Sequence, residues 1–371
     1  MTKKTLLPIA LLLLSSAANA QKMTVGTYNF KDGGIYTGDL FNNKPNGQGR
    51  TEYPNGDIYE GGYLKGKRYG EGTYTFADGE KYTGSWLGDQ QHGRGTYWYL
   101  NNNRYEGLWY RDYREGQGTM YYYNGDKYTG EWKADQRNGQ GTYTYASGAY
   151  YRGQWKDDRK NGKGFFDWAD GSTYDGHWAD NMRDGTGTYR YLTGDIYTGA
   201  WRRDVQHGRG IYKFNNGDLY EGPYEEGQRQ GDGGVFTFAN GNKYTGHFKA
   251  GEQDGEGTFV WKGIATYKGQ WKKGRRQGQG TYKWKNGDEY TGAWQDDQMS
   301  GEGTLTQGGV RYRGQFQAGR KHGKGVEVDK DGTRAEGTWK DGERDGKFII
   351  YDRNGNVAQK ITYVKGQAEG K

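Results

Sequence analysis

A tyrosine recurs every 23 residues along most of this chain, and this spacing constrains the fold more than any other feature. Nine tyrosines follow one another at that interval: Tyr36, Tyr59, Tyr82, Tyr105, Tyr128, Tyr151, Tyr174, Tyr197 and Tyr220. The series continues at spacings of 24, 23, 23 and 22 with Tyr244, Tyr267, Tyr290 and Tyr312. A fourteenth unit has Ala335 in place of the tyrosine. A fixed period of this length is typical of stacked repeats, each one a single supersecondary unit.

Each unit has two halves that read as β-strands. The first half is Tyr-x-Gly-x-Trp, as in residues 82–86, and a loop of about six residues separates it from a Gly-x-Gly half at residues 93–99. Turn pairs such as Asn55-Gly56 and Asp78-Gly79 close the units. Asn-Gly and Asp-Gly favour the positive φ angles of two-residue hairpin turns. The pattern therefore predicts one β-hairpin per unit.

Alternation along each strand assigns side chains to two faces. Tyr82, Gly84 and Trp86 point to one face, and residues 93, 95, 97 and 99 of the second strand share it. We call this the ring face and the opposite one, which carries Thr, Glu, Arg, Gln and Ser, the polar face. A ring lies flat over a neighbour without a Cβ atom, and an aromatic side chain buries about 150–250 Å² in this way.

The pattern Tyr-Thr-Gly-x-Trp followed by Gly-x-Gly-Thr-Tyr resembles the MORN (membrane occupation and recognition nexus) repeat family, here of the exported bacterial type. The resemblance implies an all-β fold, an elongated single-layer antiparallel sheet of about 14 stacked 23-residue hairpin repeats. Two strands per repeat at the usual strand spacing give a length of roughly 130–140 Å. Irregular spacing near Gly233-Gly234 and Gly308-Gly309 predicts a bulge or an altered turn.

The two ends of the chain differ from the repeats. Lys3 and Lys4, the apolar stretch 6–14 and the small residues of 18–20 predict a signal peptide that is cleaved after Ala20. We therefore expect residues 1–20 to be a leader, 21–340 the repeat array, and 341–371 an atypical variant unit that acts as a C-terminal cap. The leader predicts a periplasmic or secreted protein.

Composition excludes several kinds of chemistry. The chain has no cysteine, so thiol catalysis, thiolate metal sites and disulfides are absent. The net charge of +7 is small for 371 residues and does not indicate nucleic-acid binding. His92, His207 and His322 lie five repeats apart, too far to share a metal ion. We predict no catalytic residue, no metal site and no cofactor, and hence no enzyme.

The aromatic rows are the candidate binding residues. A single-layer sheet has no second layer over its ring face, and a large uncovered apolar surface marks a contact site. The alternative is that the rings only form the core of the sheet. The candidates are Trp86, Trp109, Trp132, Trp155, Trp178, Trp201, Trp271 and Trp294.

Two functions follow from these features. The first is a non-catalytic, extended scaffold of the bacterial envelope that binds protein partners or forms a homodimer through its aromatic repeat face. The resemblance supports it, since MORN proteins often act as scaffolds and some dimerise. The alternative is an envelope ligand binder. It would hold polysaccharide or peptidoglycan by stacking on the rings, or anionic phospholipid by its basic loops.

Overall fold

The computed structural model describes residues 23–369, so the predicted leader lies outside the described residues. The described residues contain 33 β-strands and no helix, and among them no segment qualifies as a membrane-spanning helix. They divide into two compact units, residues 23–146 and 147–369.

The strands of the first unit follow one another along the chain. They are β1 (Thr24–Asn29), β2 (Ile35–Phe41), β3 (Lys44–Glu52), β4 (Ile58–Leu64), β5 (Lys67–Thr75), β6 (Lys81–Leu87), β7 (Gln90–Trp98), β8 (Arg104–Tyr110), β9 (Tyr113–Tyr121), β10 (Lys127–Lys133) and β11 (Gln136–Thr144). Each pairs with the next in antiparallel fashion, for example β6 with β7 and β7 with β8.

The second unit repeats this arrangement. Its strands are β12 (Tyr150–Lys156), β13 (Arg159–Asp167), β14 (Thr173–Ala179), β15 (Met182–Arg190), β16 (Ile196–Arg202), β17 (Val205–Lys213), β18 (Leu219–Glu225), β19 (Gln228–Arg229), β20 (Gly231–Thr237), β21 (Lys243–Lys249), β22 (Glu252–Trp261), β23 (Ala265–Lys272), β24 (Arg275–Trp284), β25 (Glu289–Gln295), β26 (Gln298–Gln307), β27 (Val310–Gln317), β28 (Arg320–Val328), β29 (Arg334–Lys340), β30 (Glu343–Arg344), β31 (Gly346–Tyr351), β32 (Val357–Val364) and β33 (Gln367–Ala368). Among the described strands of each unit, no pairing joins the first to the last, so the sheet is open.

The first tyrosine of each regular repeat forms the core. Tyr82 pairs directly with Tyr97, and Gly84 with Gly95. The Tyr82 ring covers these glycines so closely that a Cβ atom on Gly95 would stand 2.5 Å from its Cε2 and Cζ atoms. All such tyrosines are fully buried: Tyr36, Tyr59, Tyr82, Tyr105, Tyr128, Tyr151, Tyr174, Tyr197, Tyr220, Tyr244, Tyr267, Tyr290 and Tyr312. The predicted packing of rings over glycines is confirmed.

The predicted turn types were wrong, because the two kinds of turn lie at opposite ends of the strands. The expected six-residue loop is a two-residue turn, such as Arg111-Asp112, and both of its φ angles are positive, 50° and 70°. By contrast, Asn55-Gly56 ends a three-residue loop between Tyr53 and Asp57, in which only the glycine has a positive φ. A type I turn followed by a left-handed residue has this form.

A bulge between Gly84 and Trp86 corrects the predicted position of Gly93. Gly93 has a φ of 66°, and a Cβ atom placed on it would point at Ser85 on the polar face, not toward the rings. The positive φ reverses the direction of the side-chain position relative to a regular strand. The ring face of the second strand therefore begins at Gly95.

The two predicted irregularities are confirmed. The register of β20 and β21 shifts between Gly231 and Gly234, and Gly308-Gly309 form a two-residue turn between β26 and β27. Near the end of the described chain, Phe348 replaces a repeat glycine, and its ring covers Gly337 where a tyrosine lies in other units. The predicted capping role of residues 341–371 remains a prediction.

Candidate interaction surfaces

The eight candidate tryptophans lie within the sheet's core. Each indole is only 3–6% exposed. Each packs edge-on against the tyrosine of its own repeat, and those other than Trp155 also pack against the tyrosine of the preceding repeat, as Trp86 does with Tyr82 and Tyr59 at 5.1 and 5.3 Å between ring centroids. The Trp86 Nε1–H donates to the Gly72 carbonyl of the preceding repeat at 3.2 Å. These contacts make the indoles structural links between repeats. Their predicted role in binding stays a prediction.

A row of cationic side chains covers much of this tryptophan row. The cation comes from the position five residues after the tryptophan, or after Tyr63 in the case of Arg68, and it lies over the tryptophan of the next repeat. The centroid distances are 4.3 Å for Arg68 over Trp86, 4.5 Å for Arg114 over Trp132, 4.4 Å for Lys160 over Trp178, 4.4 Å for Arg183 over Trp201, and 4.4 Å for Arg276 over Trp294. The expectation of an uncovered ring face is therefore wrong at these indoles.

The arginines of this row also bind the next turn. The Arg114 Nε–H donates to Asp135 Oδ1 at 2.9 Å, its Nη2–H to the Asp135 carbonyl at 2.7 Å, and its backbone N–H to the same carboxylate at 2.9 Å. Arg183 makes the same set of bonds to Asp204. Asp135 occupies the second turn position at a φ of 67°. These bonds fix the turn of one repeat to the strand of the preceding repeat.

Lys160 is the exception in this row, because Asn181 stands where other repeats have the turn aspartate. Its ammonium group lies over Trp178 and, at 4.7 Å, over Phe166. Burial against these rings lowers the pKa of Lys160 to about 8.

A second line of rings on the ring face is half-buried except at Phe166, which is buried, and we call this line the aromatic ladder. In the second unit, successive centroids lie 4.3–5.8 Å apart along its whole length. Its members there are Phe166, Trp168, Tyr189, Tyr191, Tyr212, Phe214, Phe236, Phe238, Phe259, Trp261, Tyr282 and Trp284. In the first unit, one stretch of the ladder consists of Tyr53, Tyr74, Phe76, Tyr97 and Tyr99, and another of Tyr122, Tyr143 and Tyr145.

Carboxylates of the three-residue turns fix this ladder from one repeat to the next. Asp57 accepts a hydrogen bond from Tyr74 at 2.6 Å and another from the Ala77 N–H at 2.8 Å. Burial alone would raise the pKa of Asp57, but these bonds and one from Asn55 outweigh it, so the pKa is lowered. For Tyr74, both burial and the bonded carboxylate raise the pKa. The turn aspartates are therefore structural.

The polar face of the first unit carries a groove that runs across the strands, which we call the polar groove. Its floor is the backbone of paired glycines, as Gly95 and Gly107 pair between β7 and β8. Two adjoining depressions of about 580 and 630 Å³ form it and share Glu71 and Thr83. The residues that line it between repeats two and five include Glu71, Thr83, Arg94, Thr96, Glu106, Leu108, Gln117, Thr119 and Thr129.

The two walls of the polar groove differ in composition. One wall is rich in threonines that bond across repeats, as Thr73 does with Thr83 at 3.0 Å and Thr119 with Thr129 at 3.1 Å. The other lining residues change from one repeat to the next, from Gln48 through Glu71 and Arg94 to Gln117. Leu108, which also lines the groove, stands between a repeat glycine and tryptophan, and in the sequence this position differs in every one of the first eight units: Asp39, Gly62, Ser85, Leu108, Glu131, Gln154, His177 and Ala200.

The second unit has its own depression of about 440 Å³ on this face. Thr186, Thr188, Thr198 and His177 line it, again over repeat glycines. The His177 Nδ1 lies 3.0 Å from the Thr186 carbonyl oxygen. Within residues 23–369, no group of three or more histidine, aspartate or glutamate side chains is placed to hold a metal ion.

Sequence reasoning missed the polar groove and the cation row. The groove is lined from the positions one, twelve and fourteen residues after the repeat tyrosines, together with Leu108, and the contrast there between frequent threonine and changing residues was visible in the sequence. The cation row was visible as a basic residue five positions after several tryptophans. Nothing in the sequence showed that it lies over the next repeat.

This architecture defines a β-hairpin repeat protein that offers long surfaces on both faces of a single-layer sheet. The family model described as MORN repeat matches thirteen segments. They are residues 36–58, 59–81, 82–104, 105–127, 128–150, 151–173, 174–196, 197–219, 244–263, 267–289, 290–308, 312–334 and 336–356. Because these segments cover most of the sequence, the chain belongs to the MORN repeat family.

No curated protein matches the chain. Among solved structures, it is similar to the TCP domain of Drosophila melanogaster SAS-4 in complex with a proline-rich motif of Ana2, at 19% identity over 48% of this chain and 90% of that one, with a TM-score of 0.28. The TCP10 domain of Danio rerio CPAP in complex with a STIL peptide has 12% identity over 64% and 94%, with a TM-score of 0.31. TM-scores this low establish no common fold, and no conclusion about function follows from them.

Proposed function

We propose that this MORN repeat protein is a non-catalytic interaction scaffold of the bacterial envelope, and that it binds an extended segment of a protein partner along the polar groove. The observation that carries this proposal is the groove itself, which continues over repeats of the first unit without closing into a pocket. An elongated groove suits a polypeptide, whereas small molecules are usually bound in more enclosed cavities.

The chemistry of the groove walls fits such a segment. The glycine floor lets a partner's backbone approach closely, because no side chain projects there on the polar face. Threonine hydroxyls such as Thr83 and Thr96 both donate and accept hydrogen bonds. The changing residues of the other wall, such as Arg94 and Leu108, give each repeat a different contact, which is what a specific sequence requires.

The aromatic face remains the alternative surface, for a protein partner or for self-association. Aromatic side chains are enriched at protein interfaces, and the half-buried ladder offers them in an unbroken line in the second unit. The ladder, rather than the eight tryptophans, presents the accessible ring area.

The aromatic ladder also favours a second candidate function, the stacking of sugar rings of an envelope polysaccharide. A depression at the loops around Lys249, Lys272 and Lys273 also contains Glu252, Asp254 and Glu256, so it does not favour anionic phospholipid.

The location in the envelope follows from the predicted leader alone. Expression with residues 1–20 in a bacterial host, followed by N-terminal sequencing of the recovered chain, tests it. Cleavage after Ala20 and recovery from the periplasm or the medium are expected. A chain that keeps Met1 and stays in the cytoplasm would contradict the envelope assignment and leave the groove proposal unaffected.

Site-specific photocrosslinking in the producing cell tests which surface binds. A photoreactive residue is placed at Thr96 in the groove, at Tyr99 in the aromatic ladder, or at Asp78 in an exposed turn as the control. A discrete crosslinked polypeptide at position 96, absent from position 78 and lost when Thr83→Lys is added, is expected. Polypeptide adducts at position 99 only would move the interface to the aromatic face. No adduct at either position would contradict the scaffold proposal.

Retention on purified peptidoglycan or envelope polysaccharide tests the second function. Tyr99→Ser removes a half-buried ring, and Thr96→Lys alters the groove as the matched control. Retention that Tyr99→Ser weakens and Thr96→Lys does not would favour stacking on the ladder. Substitution of the eight tryptophans is unsuitable here, because it would remove core contacts.

A further inference from the structure

Two further rows of side chains flank the walls of the polar groove in the first unit. Residues that pair in neighbouring strands project to the same face, so each level of the sheet forms a row along the groove. One row lies beyond the threonine wall that contains Thr83 and Thr96, toward the three-residue turns. The other lies beyond Arg94 and Leu108, toward the two-residue turns.

The row toward the three-residue turns alternates cations with aromatic rings, and we call it the Trp98 row. Direct pairing places its members in the order Lys81, Trp98, Arg104, Tyr121 and Lys127. The Lys81 Nζ lies 4.3 Å from the centroid of the Trp98 ring, and the Arg104 Cζ lies 4.5 Å from that of Tyr121. Contact with a ring positions a cation without neutralising its charge.

Few carboxylates offset the charge of the Trp98 row. Its three cations face one carboxylate, that of Glu106, whose Oε1 lies 3.0 Å from the Arg104 Nε. Glu80 and Asp126 precede the two lysines of the row in the sequence, but both are turned to the ring face, where each accepts a hydrogen bond from a ladder tyrosine. Acidic side chains of a bound segment would therefore complement this side of the groove.

The row toward the two-residue turns is apolar, and we call it the Leu87 row. Leu64, Leu87 and Tyr110 hold the same position in three successive repeats, directly after the buried aromatic residue of the first strand, so they project to the polar face. All three are exposed, and Tyr69, which pairs with Leu87, adds a further exposed ring. Contiguous exposed apolar side chains mark a contact surface.

Both rows are confined to the first unit. At the position of Leu87, the second unit has Lys156, Ala179, Arg202, Glu225, Lys249, Lys272, Gln295, Gln317 and Lys340. At the position of Trp98, it has Asp167, Arg190, Lys213, Thr237, Val260, Lys283, Thr306 and Val328. The repeats of the second unit therefore fold without exposed rings and leucines at these positions, and folding does not explain why they occur beside the polar groove.

The spacing within the two rows determines which segment fits. Each repeat supplies one cation and one exposed apolar position, and a repeat of two strands is about 10 Å long. An extended chain with three residues per turn rises about 3.1 Å per residue, or about 9.3 Å per turn. Such a segment presents an equivalent residue to each repeat at every third position.

We propose that the polar groove binds a polypeptide segment with an apolar residue and an acidic residue in every three, the apolar side chains on the Leu87 row and the carboxylates on the Trp98 row. This inference rests on the proposed function, because it takes the groove as the binding surface, and it adds the chemistry of the partner. Lysine and arginine form charge-assisted hydrogen bonds with carboxylates, and the leucines and tyrosines bury the apolar side chains.

Fluorescence anisotropy with labelled synthetic peptides and the purified full chain tests this chemistry. A peptide of about 15 residues spans roughly 45 Å, or four to five repeats. Three such peptides repeat the triplets Leu-Asp-Ser, Leu-Lys-Ser and Ser-Asp-Ser. The first is expected to bind at least about tenfold more tightly than either of the others. Absence of binding by the first, or equal binding by either of the others, would overturn the proposal.

Substitutions in the two rows test where the peptide lies. Lys127→Glu in the Trp98 row and Leu87→Ser in the Leu87 row are each expected to weaken binding of the Leu-Asp-Ser peptide by about tenfold. Lys213→Glu and Val205→Ser make the same changes at exposed positions of the second unit and should leave the affinity unchanged. Circular dichroism should show the same β-structure in all four variants. Equal effects in the two units would overturn the proposal.

The photocrosslink at Thr96 distinguishes this inference from the proposed function. Mass spectrometry of the adduct identifies the partner segment, which is expected to contain acidic and apolar residues with a period of three. A crosslinked segment without this pattern would overturn the inference and leave the groove as the binding surface. Adducts at Tyr99 only would contradict the groove itself and the inference with it.

Discussion

Substitution of a single glycine beneath a core tyrosine is the most direct test of how this sheet is stabilised. In Gly95→Ala, the new methyl group would stand 2.5 Å from two carbons of the Tyr82 ring, far inside van der Waals contact. The strand backbone on both sides is paired with neighbouring strands, so we expect the ring to move. Tyr82 is fully buried, and its hydroxyl donates to the Ser85 carbonyl at 3.0 Å.

The cost follows from what the ring loses. Burial of a large ring removes about 150–250 Å² from water, and at about 25 cal/mol per Å² its complete displacement would cost about 4–6 kcal/mol. Overpacking that is relieved by smaller shifts costs about 1–3 kcal/mol. Because Trp86 and Trp109 also pack on Tyr82, we expect about 3–5 kcal/mol.

Hydrogen exchange measured by mass spectrometry gives the assay, since repeat arrays open locally as well as globally. Amides of residues 82–104 should lose protection in Gly95→Ala. Gly26→Ala is the matched control at the equivalent position of β1, where only a terminal methyl group of Leu40 lies nearby. It is expected to cost less than about 1 kcal/mol. Equal effects of the two substitutions would refute the reasoning. A double variant with Tyr82→Ala should remove most of the added cost of Gly95→Ala.

Three further predictions concern charged and titrating groups. Arg114→Met should keep Trp132 covered and keep the backbone N–H bond to Asp135, but lose the two bonds from the guanidinium group. This loss costs about 1–2 kcal/mol, measured as faster hydrogen exchange at that turn. Burial raises the pKa of Tyr36 to about 12 from 10.0. The contribution of this neutral side chain to stability is therefore complete below pH 10 and is lost as the pH rises through 12. In an ultraviolet titration, the ionisation of the buried tyrosines should coincide with alkaline unfolding. Lys160, with a pKa lowered to about 8 from 10.5, should be acetylated at lower pH than the exposed lysines, as peptide mass spectrometry would show.

Each of these predictions has a contradicting outcome. Unchanged exchange at Asp135 in Arg114→Met would mean that the turn needs no bond from the arginine side chain. Ionisation of all the tyrosines near pH 10 without loss of β-structure, and not only of exposed ones such as Tyr123, would mean that water reaches the core. Acetylation of Lys160 with the pH dependence of an exposed lysine would show that its ammonium group leaves the rings in solution.

The sequence was sufficient to predict the fold because one spacing determines the pairing. With a tyrosine every 23 residues and glycines at fixed offsets, only one register places Tyr82 over Gly95 in every unit. The turns were harder to predict. Asn55-Gly56 has the composition of a two-residue turn, yet a bulge beside Trp86 shifts the register, and the two-residue turn falls at positions such as Arg111-Asp112, where aspartate and not glycine takes the left-handed conformation.

The candidate site was less predictable because its contacts join different repeats. The sequence places Trp132 on the ring face, for which it predicts no covering layer. Its cover is Arg114, which belongs to the preceding repeat and is held there by Asp135. A pattern read within one repeat cannot show such a contact. The half-buried rings, such as Tyr99, had been assigned to the correct face but not distinguished from the buried indoles.

The positions that vary in this chain argue for where specificity lies. Tyr82, Gly84 and Gly95 have equivalents in nearly every repeat because each repeat needs the same core. The residue between Gly84 and the tryptophan has no such constraint from the core, since it projects to the opposite face beside the polar groove. A uniform series there would offer a partner the same contact at every repeat and no preferred register. Because the series changes at each step, with Ser85 followed by Leu108, a segment bound as we propose would have one best alignment, and we therefore expect sequence recognition at the polar groove rather than at the uniform core face.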